Sequence, residues 1–127
     1  MLYHATYGTK LKSIQRFGLK RNCKQSWVGC KSGRVYLSSD ADVAYSYAET
    51  TEDISDDDYN SGIFILCINE SSLDMSKLDR DSNIIDNGYD SCCFEYAGDI
   101  KPSELGIIIS NGIVGLKNCD ISRLASE

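Results

Sequence analysis

The sequence predicts an α+β fold in which short strands dominate and two short helices lie in the N-terminal half. Three observations indicate this class. Apolar and β-branched runs of strand length are separated by glycines and polar turns. Apolar residues recur at helical spacing in segments 11–17 and 43–48. The 127 residues suit one domain, spanning 1–127, with a single core and no internal repeat.

Strand and helix alternate in the first half. Residues 2–6 have strand composition, and Thr9 is the expected N-cap of a helix that ends before Gly18. Residues 35–37 form the next predicted strand, and a capping-box-like start at Ser39 opens the second helix. In the first helix, the side chains predicted to face inward are Leu11, Ile14 and Phe17.

The second half is predicted to consist of strands joined by turns. The elements are a central strand buried on both faces at 62–68, a helical turn at 73–78, a polar and turn-rich stretch at 79–90, and strands at 92–97, 106–109 and 113–116, the last at an edge.

Charge is unevenly distributed along this acidic chain, whose net charge is −6. Segment 10–34 contains eight Lys or Arg and no acid, and 20–34 is predicted to be a basic loop. Segment 49–58 contains six acids and no base, so 49–60 is predicted to be an exposed, mobile acidic loop. The basic run can supply one or two groups for a diphosphate. The acidic balance disfavours nucleic acid as the main partner.

The cysteines and the histidine content indicate reduced thiols and no metal site. The six cysteines stand singly or as the pair Cys92-Cys93, without C-x-x-C spacing, and there is one histidine. No apolar run is long enough to span a bilayer, and no signal peptide is recognised. The expected location is therefore the cytoplasm, with no membrane partner.

Three polar residues occupy positions where strand patterning favours apolar ones: His4, Tyr36 and Glu95. A carboxylate within an apolar strand is costly unless it is paired or faces a cleft. Tyr36 and Tyr47 can form the walls of a slot for a flat heterocycle. The alternatives are a hydrogen-bonded core imidazole, partly buried packing tyrosines, and a glutamate on a solvent-facing edge.

These residues match a known pattern in order and spacing. The matching residues are Tyr3-His4-Ala5-Thr6, Tyr36 with Tyr47 eleven positions later, Phe94-Glu95-Tyr96, and the turn Gly98-Asp99-Ile100-Lys101-Pro102. The set resembles the His-Tyr-Glu signature of ADP-ribosyltransferases, in the branch of diphtheria toxin and poly(ADP-ribose) polymerase. That resemblance implies two small, mostly antiparallel sheets that split around an NAD cleft, with NAD as co-substrate and no metal.

The resemblance also implies roles for individual residues. His4 would hydrogen-bond a ribose hydroxyl of NAD, and Tyr36 and Tyr47 would enclose the nicotinamide ring. Glu95 would accept a hydrogen bond from the 2′-hydroxyl of the nicotinamide ribose, and Thr6 would support the pocket.

Two positions depart from the most common pattern of that family. Ala5, where relatives usually have glycine, would pair through its backbone with the carboxamide of nicotinamide. Ala44 stands where the polymerase branch has a serine hydroxyl, although alanine also occurs there in the toxin branch.

The implied activity is mono-ADP-ribosylation of a macromolecule, most simply a protein, with release of nicotinamide. Arginine-directed relatives have a second Glu or Gln two residues before the catalytic one; here that position is Cys93. Arginine is therefore not the expected acceptor. An intracellular toxin or a phage-type effector, in the cytoplasm of a host cell, is the setting that the family suggests.

Three alternatives remain open from the sequence. An RNA 2′-phosphotransferase would share the fold, and an NAD glycohydrolase would use water as the acceptor. A non-catalytic interaction module with a vestigial nucleotide pocket would use the acidic loop as its contact surface.

Overall fold

The protein is described by a computed structural model covering residues 1–21, 33–50, 54–80, 92–110 and 112–124. Its elements are β1 (Leu2–Tyr7), α1 (Leu11–Phe17), β2 (Val35–Ser38), α2 (Ala41–Glu49), α3 (Asp56–Ser61), β3 (Ile63–Ile68), β4 (Leu78–Arg80), β5 (Cys93–Tyr96), β6 (Leu105–Ile109), β7 (Gly112–Gly115) and α4 (Ile121–Leu124). The strands form an antiparallel sheet in the order β4-β5-β2-β1-β3-β6-β7. The predicted α+β class is confirmed.

The expectation of two separate sheets is wrong, because hydrogen bonding joins all seven strands. The join between β1 and β2 is narrow, however, with one registered pair, Tyr3 with Ser38. On its other side β1 pairs with β3 along six positions. We call this β1–β2 junction the seam; it divides the sheet into a β4-β5-β2 part and a β1-β3-β6-β7 part.

The two faces of the sheet are covered by different helices. Leu11 and Ile14 of α1 belong to the main buried cluster, together with Val35 and Leu37 of β2, so we call that side the α1 face. Helix α2 contacts β1, β3 and β2 from the opposite side, which we call the α2 face. Since successive strand residues point to opposite faces, Tyr36 lies on the α2 face.

Fewer side chains of α1 are buried than its sequence pattern predicts. Leu11 and Ile14 are buried as predicted, but Phe17 is 53% exposed. The guanidinium of Arg16 lies 5.1 Å from the centroid of the Phe17 ring. Phe17 ends the helix, where the chain turns at Gly18, so its side chain lies beyond the packed core.

Both helix starts differ from the expected caps. Thr9 belongs to a 3₁₀ turn before α1, and its hydroxyl donates to Asp58 instead of capping the helix. At α2 the N-cap is Asp40, whose carboxylate accepts from the backbone N–H of Asp42 at 2.8 Å and of Val43 at 3.4 Å. A charged acceptor bonds these amides more strongly than the Ser39 hydroxyl could, which explains the one-residue shift.

The predicted loop at 49–60 contains a short helix. Helix α3 begins after Ser55, whose hydroxyl accepts from the backbone N–H of Asp58 at 3.1 Å. Its first turn contains Asp56, Asp57 and Asp58, which complement the positive end of the helix dipole. An acidic run that suggested a loop therefore stabilises a helix start. Residues 51–53 lie outside the described residues.

The polar stretch predicted at 79–90 begins with a strand. Strand β4 is three residues long and pairs with β5 at the sheet edge. β3 is central, as expected, although only its last three residues are fully buried. β7 is an exposed edge strand, also as expected. Most of the predicted basic loop, 22–32, and the chain end, 125–127, lie outside the described residues.

A buried hydrogen bond ties β1 to α2 and can be tested. The Tyr7 hydroxyl donates to the carbonyl of Ala48 at 2.9 Å. We expect Tyr7→Phe to lower the free energy of unfolding by about 1–2 kcal/mol at pH 7, because the carbonyl loses its donor. Burial raises the pKa of Tyr7 above 10.0. The native protein therefore loses this contribution above that pH, and the difference between the two proteins should narrow there.

Chemical denaturation at pH 7 and pH 11 measures both effects. Tyr45→Phe is the control, since Tyr45 lies on α2, the helix of the acceptor Ala48, but is 40% exposed. Equal stability of Tyr7→Phe and the native protein at pH 7 would contradict the assigned bond.

Candidate functional site

The seam places His4 against the backbone of β2. Next to the Tyr3–Ser38 pair, the His4 Nδ1 lies 2.9 Å from the carbonyl oxygen of Tyr36. A carbonyl only accepts, so Nδ1 holds the proton and donates, which leaves Nε2 of the neutral ring as an acceptor. A side chain thus continues the connection between the strands where the backbone ladder stops.

Burial lowers the pKa of His4 below 6.5, and the bond to the Tyr36 carbonyl opposes this only in part. The imidazole is therefore neutral at pH 7. The unfolded chain binds a proton more readily than the folded chain just below pH 6.5, so this group destabilises the fold as the pH falls through that range.

Because His4 is the only histidine, its titration can be observed without assignment. We expect its imidazole proton resonance to titrate with a pKa below 6.5. We also expect the free energy of unfolding to fall between pH 7.5 and about pH 5.5, and this slope to be reduced in His4→Asn. Proton NMR measures the first quantity and urea denaturation the second. A His4 pKa at or above 6.5 would contradict the buried, Nδ1-bonded ring.

A cavity of about 520 Å³ opens beside His4 on the α1 face. Its sheet side is formed by His4, Thr6 and Val35, and its other side by α1 and the residues that follow it. Lys10 and Lys20 line it, and none of the described lining residues is acidic, although the Lys20 ammonium lies 3.6 Å from the Asp99 carboxylate. The cavity is therefore suited to an anionic ligand that hydrogen-bonds His4.

The predicted catalytic carboxylate lies on the other side of the seam. Glu95 is directly opposite Tyr36 in the β2–β5 ladder, so the two side chains share the α2 face. Both are buried, with 7% and 3% of their surfaces exposed. An exposed edge position for Glu95 is thereby excluded.

Helix α2 brings the second tyrosine to the same region. Tyr47 is half-buried and packs against Val43 and Cys93. Cys93 lies two residues before Glu95 on β5 and therefore shares its face. Ala44, which is itself a residue of α2, is buried. Tyr36 and Glu95 thus share one face of the sheet, and Tyr47 packs from α2 against Cys93 of the same face.

The structure does not gather all the predicted site residues into one open space. His4 and Thr6 line the cavity on the α1 face, whereas Tyr36 and Glu95 point to the α2 face. Ala5, half-buried, alternates with His4 and so points with Tyr36. The two groups meet at the seam, through the bond from His4 to the Tyr36 backbone.

The turn after Glu95 is fastened to the end of α1. The carboxylate of Asp99 accepts from the backbone N–H of Arg21 at 2.9 Å, and the Arg21 guanidinium donates to the carbonyl of Ala97 at 3.1 Å. The Arg21 N–H holds the pKa of Asp99 below its usual value. Leu19 and Ile100 exchange backbone hydrogen bonds of 2.9 and 2.8 Å. The segment that follows α1 therefore lines the cavity and also holds the turn at the end of β5 in place.

Sequence reading missed one side chain at the site. Asp79 of β4 lies directly opposite Glu95 in the β4–β5 ladder. The sequence pattern places it in a polar, turn-rich stretch, because a three-residue strand has too few positions to show alternation. Within the described ranges, no group of three or more His, Cys, Asp or Glu is arranged to hold a metal ion.

Comparisons with protein-family models, with curated proteins and with solved structures find no match to this chain. The helices in the described segments are all too short or too polar to cross a membrane.

Proposed function

We propose that the protein is an NAD-dependent mono-ADP-ribosyltransferase that acts on a macromolecule, most simply a protein. The observation that supports this best is the direct cross-strand pairing of Tyr36 with Glu95, together with the hydrogen bond from His4 to the Tyr36 carbonyl. These are the three residues of the His-Tyr-Glu signature, and they come from three strands far apart in sequence. An intracellular toxin or phage-type effector is the setting that the resemblance suggests.

The cavity suits the ADP part of NAD. In the neutral ring that we infer, Nε2 of His4 can accept a hydrogen bond from a ribose hydroxyl. Lys10 places positive charge where a diphosphate would lie, and Lys20, whose ammonium lies 3.6 Å from the Asp99 carboxylate, would exchange that partner for the diphosphate. Thr6 adds a hydroxyl to the same wall. In this proposal the dinucleotide crosses the seam, with its ADP part on the α1 face.

The nicotinamide part would then lie on the α2 face between Tyr36 and Tyr47. An aromatic face stacks favourably on a cationic heterocycle. Ala5 and Ala44 are small residues beside this region, and the Ala5 backbone would pair with the carboxamide. Both tyrosines are at least half-buried, so a ring bound between them would be shielded from water.

Glu95 would act on the ribose as the glycosidic bond breaks. Nicotinamide departs with the bonding electron pair, and the ribose develops oxocarbenium character. A carboxylate in a site shielded from water stabilises that charge more in the transition state than in the ground state. This difference lowers the activation free energy of the reaction. Its bond to the 2′-hydroxyl resembles the corresponding contact in glycosidases.

The direct test incubates the protein with adenine-labelled NAD and a cell lysate, and measures both nicotinamide release and label on macromolecules. Label on protein is the expected result. Nicotinamide release without label would identify an NAD glycohydrolase instead. Removal of a 2′-phosphate from spliced RNA would identify a phosphotransferase. Neither release nor label, together with a thermal midpoint that NAD does not change, would favour an interaction module.

A further inference from the structure

The position that directs arginine acceptors in relatives cannot reach an acceptor here. That position, Cys93, has none of its surface exposed and packs against Val43 of α2. A thiol enclosed between the sheet and a helix contacts neither solvent nor an incoming macromolecule. Recognition of the acceptor beside Glu95 must therefore come from another side chain.

Asp79 is in the right place for that role. It is the direct cross-strand partner of Glu95, so their Cβ atoms are about 4.5–5.5 Å apart on the same face. Unlike Glu95, Asp79 is exposed, because β4 is the edge strand of the sheet.

The order of the strands separates the two substrates. β5 lies between β2 and β4, so Glu95 has Tyr36 on one side and Asp79 on the other. In the proposed function the donor nucleotide lies on the Tyr36 side. The solvent-exposed Asp79 side is the remaining approach to the reacting ribose carbon.

We propose that Asp79 binds the acceptor and orients its nucleophile, and that the acceptor is a protein side chain other than arginine with an O–H or N–H to donate. This inference rests on the proposed function and assigns its second substrate. A carboxylate side chain is excluded as acceptor, since two anionic groups would face each other.

The transfer step balances without a further reagent. The bond between C1′ of the ribose and the nicotinamide nitrogen breaks, and nicotinamide takes the electron pair. The acceptor oxygen or nitrogen forms the new bond to C1′. Its proton passes to the carboxylate of Asp79 and then to water. Asp79 thus touches the acceptor, whereas Glu95 stabilises the donor.

The test compares Asp79→Asn and Asp79→Glu with the native protein in two assays, label transfer to lysate protein and nicotinamide release. We expect Asp79→Asn to reduce transfer about tenfold to a hundredfold and to change nicotinamide release into water by less than about twofold. Asp79→Glu should restore part of the transfer. Asp57→Asn, on the exposed first turn of α3, is the matched control and should transfer normally.

The linkage formed gives an independent readout. The label should resist neutral hydroxylamine under conditions that rapidly cleave esters of carboxylates. Transfer by Asp79→Asn equal to that of the native protein, or rapid cleavage by hydroxylamine, would overturn the inference while leaving the transferase intact. A native protein that releases no nicotinamide would instead overturn the proposed function itself.

Discussion

Replacing Glu95 with glutamine is expected to reduce both nicotinamide release and ADP-ribose transfer by about a hundredfold to a thousandfold. Glutamine keeps the size of the side chain but removes the negative charge that would face the developing oxocarbenium ion. The change should lower kcat far more than it raises KM for NAD, because the lost interaction is strongest in the transition state. Steady-state kinetics with NAD as the varied substrate separates the two parameters.

Two controls make the Glu95→Gln result interpretable. Glu49→Gln removes one negative charge from the exposed end of α2 and should leave the kinetics unchanged. Thermal unfolding of Glu95→Gln shows whether the buried position tolerates the amide. A folded Glu95→Gln that transfers as fast as the native protein would count decisively against the proposed role of this carboxylate.

Gly18→Ala is expected to have the largest effect on stability. Gly18 ends α1 with φ at 80°, a conformation that side chains with a Cβ rarely adopt. A Cβ built there would overlap the carbonyl oxygen of Ile100, so the two segments joined by the Leu19–Ile100 bridge would have to separate. We expect a loss of about 3 kcal/mol or more in the free energy of unfolding, from strain and clash together.

Gly62→Ala separates those two causes. Gly62 has a similar φ of 77°, but a Cβ there would have no neighbour within 4 Å. Its substitution should cost about 1–2 kcal/mol, from strain alone. Urea denaturation of both variants gives the difference. Equal losses in the two variants would show that the clash with Ile100 adds nothing to the cost of Gly18→Ala.

Local elements were predictable from the sequence where their physical cause is local. The positions of β1 and β2 follow from strand-forming composition, that of β3 from a continuous apolar run, and that of α2 from helical spacing, because these are properties of neighbouring residues. Short elements were not predicted, because they offer too few neighbouring residues to show a pattern. α3 depends on the cap at Ser55, which a dense acidic run concealed, and β4 exists only because β5 lies beside it.

The candidate site was predictable as a set of residues but not as a geometry. The resemblance identified Tyr36 and Glu95, and the structure pairs them directly. Strand pairing depends on contacts between distant segments, so neither this register nor the position of Asp79 could be read from local patterns. The separation of His4 and Tyr36 onto opposite faces follows from the β1–β2 register, in which Tyr3 lies opposite Ser38.

The seam also determines where the sheet is mechanically weakest. Six backbone pairs hold β1 to β3, whereas one pair and a histidine side chain hold β1 to β2. Separating β1 from β2 at Tyr3 and Ser38 breaks fewer backbone hydrogen bonds than separating β1 from β3. Separation of the two parts at the seam would leave the ladders on either side intact, but it would break the packing of the buried cluster to which both parts contribute.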